Sequence, residues 1–182
     1  MPDFQRPWKW DDERIISLLA TVTLGYPLGV VMTLRTGGAG TRFKPRPLSG
    51  SHVPPGTEPT ELLMDGQQRM TSLYQALRSD GPAETTDSRG RPITRWYYLD
   101  VEGALNDLAS REDVILSVPA DRKYPVPGDR KQILDLTTQA AECAAGMFPL
   151  RLAFDQEAIT GWQRGYVTSD PSRWDTWASF QS

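Results

Sequence analysis

A mixed α+β fold is predicted for this chain of 182 residues by three observations. Segments of helical and of strand-like apolar spacing alternate along the sequence, which favours a mixed sheet flanked by helices over a bundle or a sandwich. No internal repeat or heptad pattern points to a solenoid or a coiled coil. The composition, 38% apolar and 24% charged with 15 Gly and 15 Pro, is that of a globular domain with long irregular connections.

Asp11 is suited to cap a first helix, in which Ile15, Leu18, Leu19 and Val22 recur at helical spacing until Gly25 closes it. Trp10, just before the cap, is placed to pack on Ile15 as a hydrophobic staple. Pro27 and Gly29 lead into Val30-Val31-Met32-Thr33-Leu34, whose β-branched content predicts a buried strand. Residues 35–60 are rich in Gly, Pro, Ser and Thr and predict a long mobile basic loop. A short strand over residues 61–64 ends at Asp65-Gly66, and Met70, Leu73, Tyr74 and Leu77 then mark the inward face of a helix reaching about Arg78. Further on, residues 96–101 predict an aromatic strand, 102–110 a short helix and 114–118 a strand. Residues 131–145 predict one helix stopped by Gly146, with Ile133, Leu134, Ala140, Ala141 and Ala144 inward. Trp162, Trp174 and Trp177 fall in helices of the tail, where an aromatic surface is expected to be covered by a neighbouring segment.

Counting excludes several chemistries. The single Cys143 rules out an internal disulfide framework, reads as buried in a helix, and places the chain in the cytoplasm. No apolar run approaches the roughly 18 residues that span a bilayer, so no membrane partner is expected. His52 is the sole histidine, in a turn-rich stretch where a solvated loop residue is expected, which leaves a multi-His zinc site or a Ser-His-Asp triad without its parts. An HNH-type nuclease needs a second histidine and would have to lie in another domain. The net charge of −3 argues against a DNA-coating protein but allows a local patch. Such a patch is offered by Arg35, Arg42, Lys44 and Arg46, with no acid between Arg35 and Pro47.

The best candidate site is Asp65-Gly66-Gln67-Gln68-Arg69. A strand-to-helix turn presents backbone N–H groups and the positive end of the helix dipole to an anion. Gln67 and Gln68 add amide donors, Arg69 a guanidinium able to grip phosphate, and Gly66 a close approach of backbone to ligand. Asp65 could hold Mg²⁺ or position a water. The same residues also make an ordinary cap, turn and solvated first turn, and composition leaves both readings standing. A second candidate is Gln5-Arg6, set among Phe4, Pro7, Trp8 and Trp10, which suits a nucleotide by stacking and polar contact or else forms an N-terminal apolar clasp. Its apolar wall beside a guanidinium fits a sulfur-substituted phosphate better than a sugar-modified base. Residues 36–41, Thr-Gly-Gly-Ala-Gly-Thr, lack the lysine and the helix of a phosphate loop.

Taken together, the residues Phe4-Gln5-Arg6-Pro7-Trp8-Lys9-Trp10, the helix to Gly25, Tyr26-Pro27-Leu28-Gly29 with its strand, and Leu63-Met64-Asp65-Gly66-Gln67-Gln68-Arg69-Met70-Thr71-Ser72-Leu73 resemble the N-terminal domain of the GmrSD and SspE restriction proteins. That resemblance implies a ParB/sulfiredoxin-like domain over residues 1–154, with residues 155–182 beginning a helical linker or a following domain. It implies hydrolysis of a nucleoside triphosphate, GTP or ATP, with Mg²⁺. Asp65, Gln68 and Arg69 would be catalytic, Asp65 would also meet the metal, and Gly66, Gln67 and Thr71 would bind the nucleotide. Phe4, Gln5, Arg6 and Trp8, with Arg42, Lys44 and Arg46, would contact modified DNA, the phosphorothioate branch being favoured. The full-length protein would carry an HNH-type nuclease domain. The alternative is a non-catalytic DNA-binding or scaffold module for a partner nuclease.

Overall fold

The computed structural model describes residues 1, 10–37, 44–106, 108–126 and 131–181 of the chain. Its organising strand is β4 (Pro92–Asp100). β3 (Ala83–Thr86) pairs with residues 92–95 of β4, β5 (Ile115–Pro119) with residues 95–99, and β8 (Met147–Pro149) with residues 98–100, all antiparallel. Since β5 and β8 overlap along β4, they hold opposite edges, and β3 and β8 divide one edge between them. Side chains alternate across such a strand. Tyr97 and Leu99 therefore enter one core, and Tyr98 with Trp96 enters another.

The first core is helical. α1 (Asp12–Thr23) brings Ile15 and Leu19, α2 (Gln67–Leu77) brings Ala76 and Leu77, α5 (Gln156–Ser169) brings Trp162 and Tyr166, and α6 (Arg173–Gln181) brings Trp177. α1 begins where predicted, with the Asp11 carboxylate accepting from the Arg14 N–H at 2.9 Å, and Trp10 packs against the same core. The second core is smaller. Tyr98, Val118 and Leu136 are buried there under Leu134 and Tyr124, from the antiparallel hairpin of β6 (Lys123–Pro125) and β7 (Ile133–Asp135). The α+β class read from the alternation of elements is the one observed.

Several local expectations are corrected. The predicted buried strand at Val30–Leu34 is β1 (Met32–Arg35), which pairs antiparallel with β2 (Glu61–Asp65) and is exposed along its length. Among the described residues no third strand joins this pair, so the β-branched content of the segment is not matched by a covering layer. α2 buries Thr71, Ser72 and Gln75 with Ala76 and Leu77, while Met70 is exposed. Its inward face is rotated toward polar residues because the Gln75 amide is satisfied inside. Its Nε2 donates to the Ser49 carbonyl at 3.0 Å and its Oε1 accepts from the Glu84 N–H at 2.9 Å.

Residues 131–145 are not one helix. After β7, the Asp135 carboxylate accepts from the Thr137 N–H and hydroxyl at 3.0 and 2.6 Å, a local turn that competes with helical hydrogen bonding. Thr138 then caps the shorter α4 (Gln139–Ala145), and Gly146 ends it at φ 68°. α4 buries Glu142 and Cys143, whereas Ile133, Ala140 and Ala144 are exposed. The predicted helix over 102–110 shrinks to α3 (Val101–Ala104). Trp162 and Trp177 are covered within the chain itself, so of the three tail tryptophans only Trp174, 57% exposed, remains on the surface. Cys143 is buried as expected, and burial, with the neighbouring Glu142 charge, pushes its thiol up to about 11. Among the described residues no helix is long and apolar enough to cross a membrane.

Candidate functional site

The turn between β2 and α2 is built as its sequence requires. Gly66 adopts φ 83°, ψ 9°, a left-handed conformation that costs glycine little. It reverses the chain, and its carbonyl accepts the first helical bond from the Met70 N–H at 2.9 Å. Having no side chain, Gly66 supplies no side-chain cap. A Cβ at this position would lie 3.3 Å from Val31 Cγ2 and 3.5 Å from Arg69 Nη2, so the turn is packed closely against the segment before β1.

Arg69 is the centre of the arrangement. Its Nη1 donates to the Leu28 carbonyl and its Nη2 to the Val30 carbonyl at 2.6 Å. Asp65 Oδ2 lies 3.8 Å from Nη2, with the Asp65 side chain 69% exposed and Arg69 23%. The guanidinium thus ties the start of α2 to residues 28–30, using two of its five N–H groups. Gly29 is fitted to this contact. At φ 81° a Cβ would stand 2.6 Å from Arg69 Nη1, so a larger residue would both strain the left-handed backbone and push the guanidinium from its place.

The other predicted members divide into two sets. Asp65, Gly66 and Arg69 are brought together, and Gln68 lies partly exposed one residue before Arg69. Gln67 and Thr71 are buried, and the Thr71 hydroxyl has no hydrogen-bond partner among the described residues. Lys44 is exposed and Arg46 partly so. The segment that carries them is anchored: the Arg46 N–H donates to the Met1 carbonyl at 2.6 Å, and the Met1 ammonium donates to the Arg46 carbonyl at 2.7 Å. Phe4, Gln5, Arg6, Trp8 and Arg42 lie outside the described residues. Groups of three or more His, Cys, Asp or Glu able to hold a metal are absent among the described residues. A magnesium ion would therefore meet Asp65 as a single carboxylate, which suits an ion that keeps water and substrate phosphates as its other ligands.

Residues 1–142 match the family described as GmrSD restriction endonuclease, N-terminal domain. The chain belongs to this family. It is accordingly part of a restriction protein, and the match covers the whole of the Asp65–Arg69 turn. No curated protein and no solved structure matches the chain.

Two carboxylates in this domain, Asp12 partly buried and Glu142 fully buried, had no signature in the sequence. Asp12, in the first turn of α1, accepts from Tyr97 Oη at 2.9 Å and from Ser117 Oγ at 2.6 Å, and Arg95 Nε lies 3.7 Å away. Burial, then the Asp12 charge, raises the Tyr97 phenol well above its ordinary range. Glu142 on α4 accepts from Tyr98 Oη at 3.0 Å, with Arg122 Nη1 at 3.7 Å. Burial is the largest influence on Glu142 and raises its carboxyl pKa above the ordinary value. Arg122 holds this position at φ 57°, with its guanidinium 4.5 Å from the centre of the Trp96 ring. Both carboxylates bind helices to the sheet, Asp12 on one face and Glu142 on the other. The Tyr-Tyr pair at 97–98 was the available signal, since buried phenols call for partners.

Proposed function

We propose that the chain is the nucleotide-hydrolysing sensor domain of a restriction protein that recognises modified DNA. The observation that carries this reading is the turn at Asp65–Arg69. An exposed carboxylate and a partly exposed arginine stand at the start of a helix without a side-chain cap, the setting in which phosphate oxygens are held by backbone donors and a guanidinium. In this reading Asp65, Gln68 and Arg69 act on the nucleoside triphosphate, GTP or ATP, and Gly66 lets its phosphates approach the backbone. Gln67 and Thr71 support the turn from inside. Bound Mg²⁺ would neutralise phosphate charge beside Asp65. The family resemblance supports a ParB/sulfiredoxin-like fold and a nuclease domain as partner, while the aromatic setting of Phe4, Gln5, Arg6 and Trp8 and the charges of Arg42, Lys44 and Arg46 support contacts with DNA. Phosphorothioate is the favoured modification.

A second reading rests on one specific observation, the engagement of Arg69 by two backbone carbonyls. In it the motif is a structural clasp and the domain binds DNA, or holds a partner nuclease, without hydrolysis. Phosphate release measured with GTP and with ATP, with and without phosphorothioate duplex, separates the two. Release that Asp65→Ala abolishes, and that modified DNA accelerates, supports the first. No release from the full-length protein under any of these conditions leaves the second.

A further inference from the structure

α2 ends at Arg78, where a cavity of about 280 Å³ is lined by Arg78, Ser79, Asp80, Arg151, Phe154 and Asp155 along with Leu152. Among the described residues none of the two guanidinia and two carboxylates forms an ion pair with another, and Arg151 Nε is buried without a hydrogen-bond partner, while the guanidinium as a whole lies 5.8 Å from the centre of the Trp96 ring and in the field of the Glu142 carboxylate. Arg78 makes only a ring contact, 6.0 Å from the centre of Phe154. Phe154 itself is 63% exposed. Asp155 spends one oxygen on the Ala158 N–H at the start of α5. Asp80 has no hydrogen bond or ion pair within the described chain.

A buried polar group kept without a partner is costly unless it serves a ligand, which applies to Arg151 Nε; Arg78 and Asp80 are exposed beside it and engaged in no ion pair among the described residues. The lining specifies what kind of ligand. Two cations facing two anions disfavour a bare phosphate, which the carboxylates would repel. The edge of a nucleobase carries acceptors and N–H donors side by side, matching guanidinium to acceptor and carboxylate to donor. The flat exposed ring supplies the stacking surface that holds a base out of its strand. The volume falls just below the roughly 300–1,000 Å³ of pockets for larger ligands, and has room for one base. We propose that this cavity takes a single unstacked nucleobase, reading its edge with Arg78, Arg151 and Asp80 and stacking it on Phe154. The proposal rests on the reading that the domain binds DNA. It adds a base-reading site at the opposite end of α2 from the Asp65–Arg69 turn, roughly 16 Å away along the helix axis.

The test uses the full chain and five single strands of equal length: the four homopolymers and an abasic strand carrying the same phosphates. Fluorescence anisotropy reads their binding. At least one homopolymer should bind about fivefold or more tightly than the abasic strand; Phe154→Ala should bring that ratio close to one without altering abasic binding, and Asp80→Asn should also bring it close to one, any gain from the lost negative charge being shared by all five strands. Both residues are exposed, and unchanged thermal unfolding of the variants confirms that the fold is retained. Equal binding of all five strands by the unmutated chain, or a preference that survives both substitutions, overturns the base pocket and leaves the DNA-binding reading intact. Absence of binding to every strand and to duplex DNA removes both.

Discussion

The two ends of α2 use arginine in opposite ways. At the N-terminal end Arg69 sits in the recognisable motif, yet its guanidinium is held by the carbonyls of Leu28 and Val30, with Gly29 leaving just enough space. At the C-terminal end Arg78 belongs to no motif, yet it opens with Arg151 onto a cavity whose cations and carboxylates form no ion pair with one another among the described residues, and Arg151 Nε is buried without a hydrogen bond. A familiar string marks where the backbone is shaped for a ligand. An unsatisfied group marks where the side chains themselves await one.

This contrast makes predictions that can be ranked. The largest effect is expected from Arg69→Ala, which removes two charge-assisted hydrogen bonds, one to the part-buried Leu28 carbonyl and one to the exposed Val30 carbonyl. Its cost is about 3 kcal/mol, read from urea unfolding as a lower midpoint with an unchanged slope. An unfolding midpoint like that of the unmutated chain would show that the clasp carries no stability and that Arg69 is held in reserve for ligand.

Gly29→Ala attacks the same contact from the other side. A methyl group 2.6 Å from Nη1 on a left-handed backbone should cost about 2 kcal/mol. Combined with Arg69→Ala it should add less than its separate cost, because the clash disappears with the guanidinium. Full additivity in this double-mutant cycle would show that Gly29 is needed for its backbone conformation alone.

Glu142 is a third, intermediate case, fully buried but partnered by Tyr98 and Arg122. Its carboxyl pKa is raised above the ordinary 4.5 in the folded state, chiefly by burial. The folded protein therefore binds this proton more tightly than the unfolded chain. The resulting stabilisation is complete below about pH 4.5 and is lost as pH rises through the raised folded value. Glu142→Gln keeps an acceptor for Tyr98 and should remove that part of the pH dependence. The comparison is of the slope of unfolding free energy against pH in the two proteins, and identical slopes would mean that Glu142 does not titrate differently on folding.

The smallest effect is expected from Arg78→Ala, whose side chain makes only a ring contact with an exposed phenylalanine. Stability should stay within about 0.5 kcal/mol of the unmutated chain. A loss as large as that of Arg69→Ala would dissolve the distinction between the two ends of the helix.

Short-range physics settled much of this molecule before folding is considered. Asp11 and Gly25 bound the first helix because a carboxylate at a helix start and a glycine past its end satisfy groups that any sequence would leave exposed. Asp65-Gly66 makes the turn from β2 into α2 for the same kind of local reason, and the aromatic run at residues 96–100 declares a strand through its own spacing. Burial and partnership were decided elsewhere. Val30 to Leu34 has the residues of a buried strand but no layer above it among the described residues, while Gln75 and Glu142 are polar and lie inside because distant segments bring hydrogen-bond partners to them. Residues 131–145 divide into β7 and α4 because Asp135 and Thr138 bond their own backbone and β6 provides an edge to pair with, a choice that helical spacing alone does not reveal. Arg78 and Arg151 meet only through the packing of α2 against the turn after β8. Periodicity reports on neighbours three or four positions away. A cavity is made by residues that share no neighbourhood until the chain has closed.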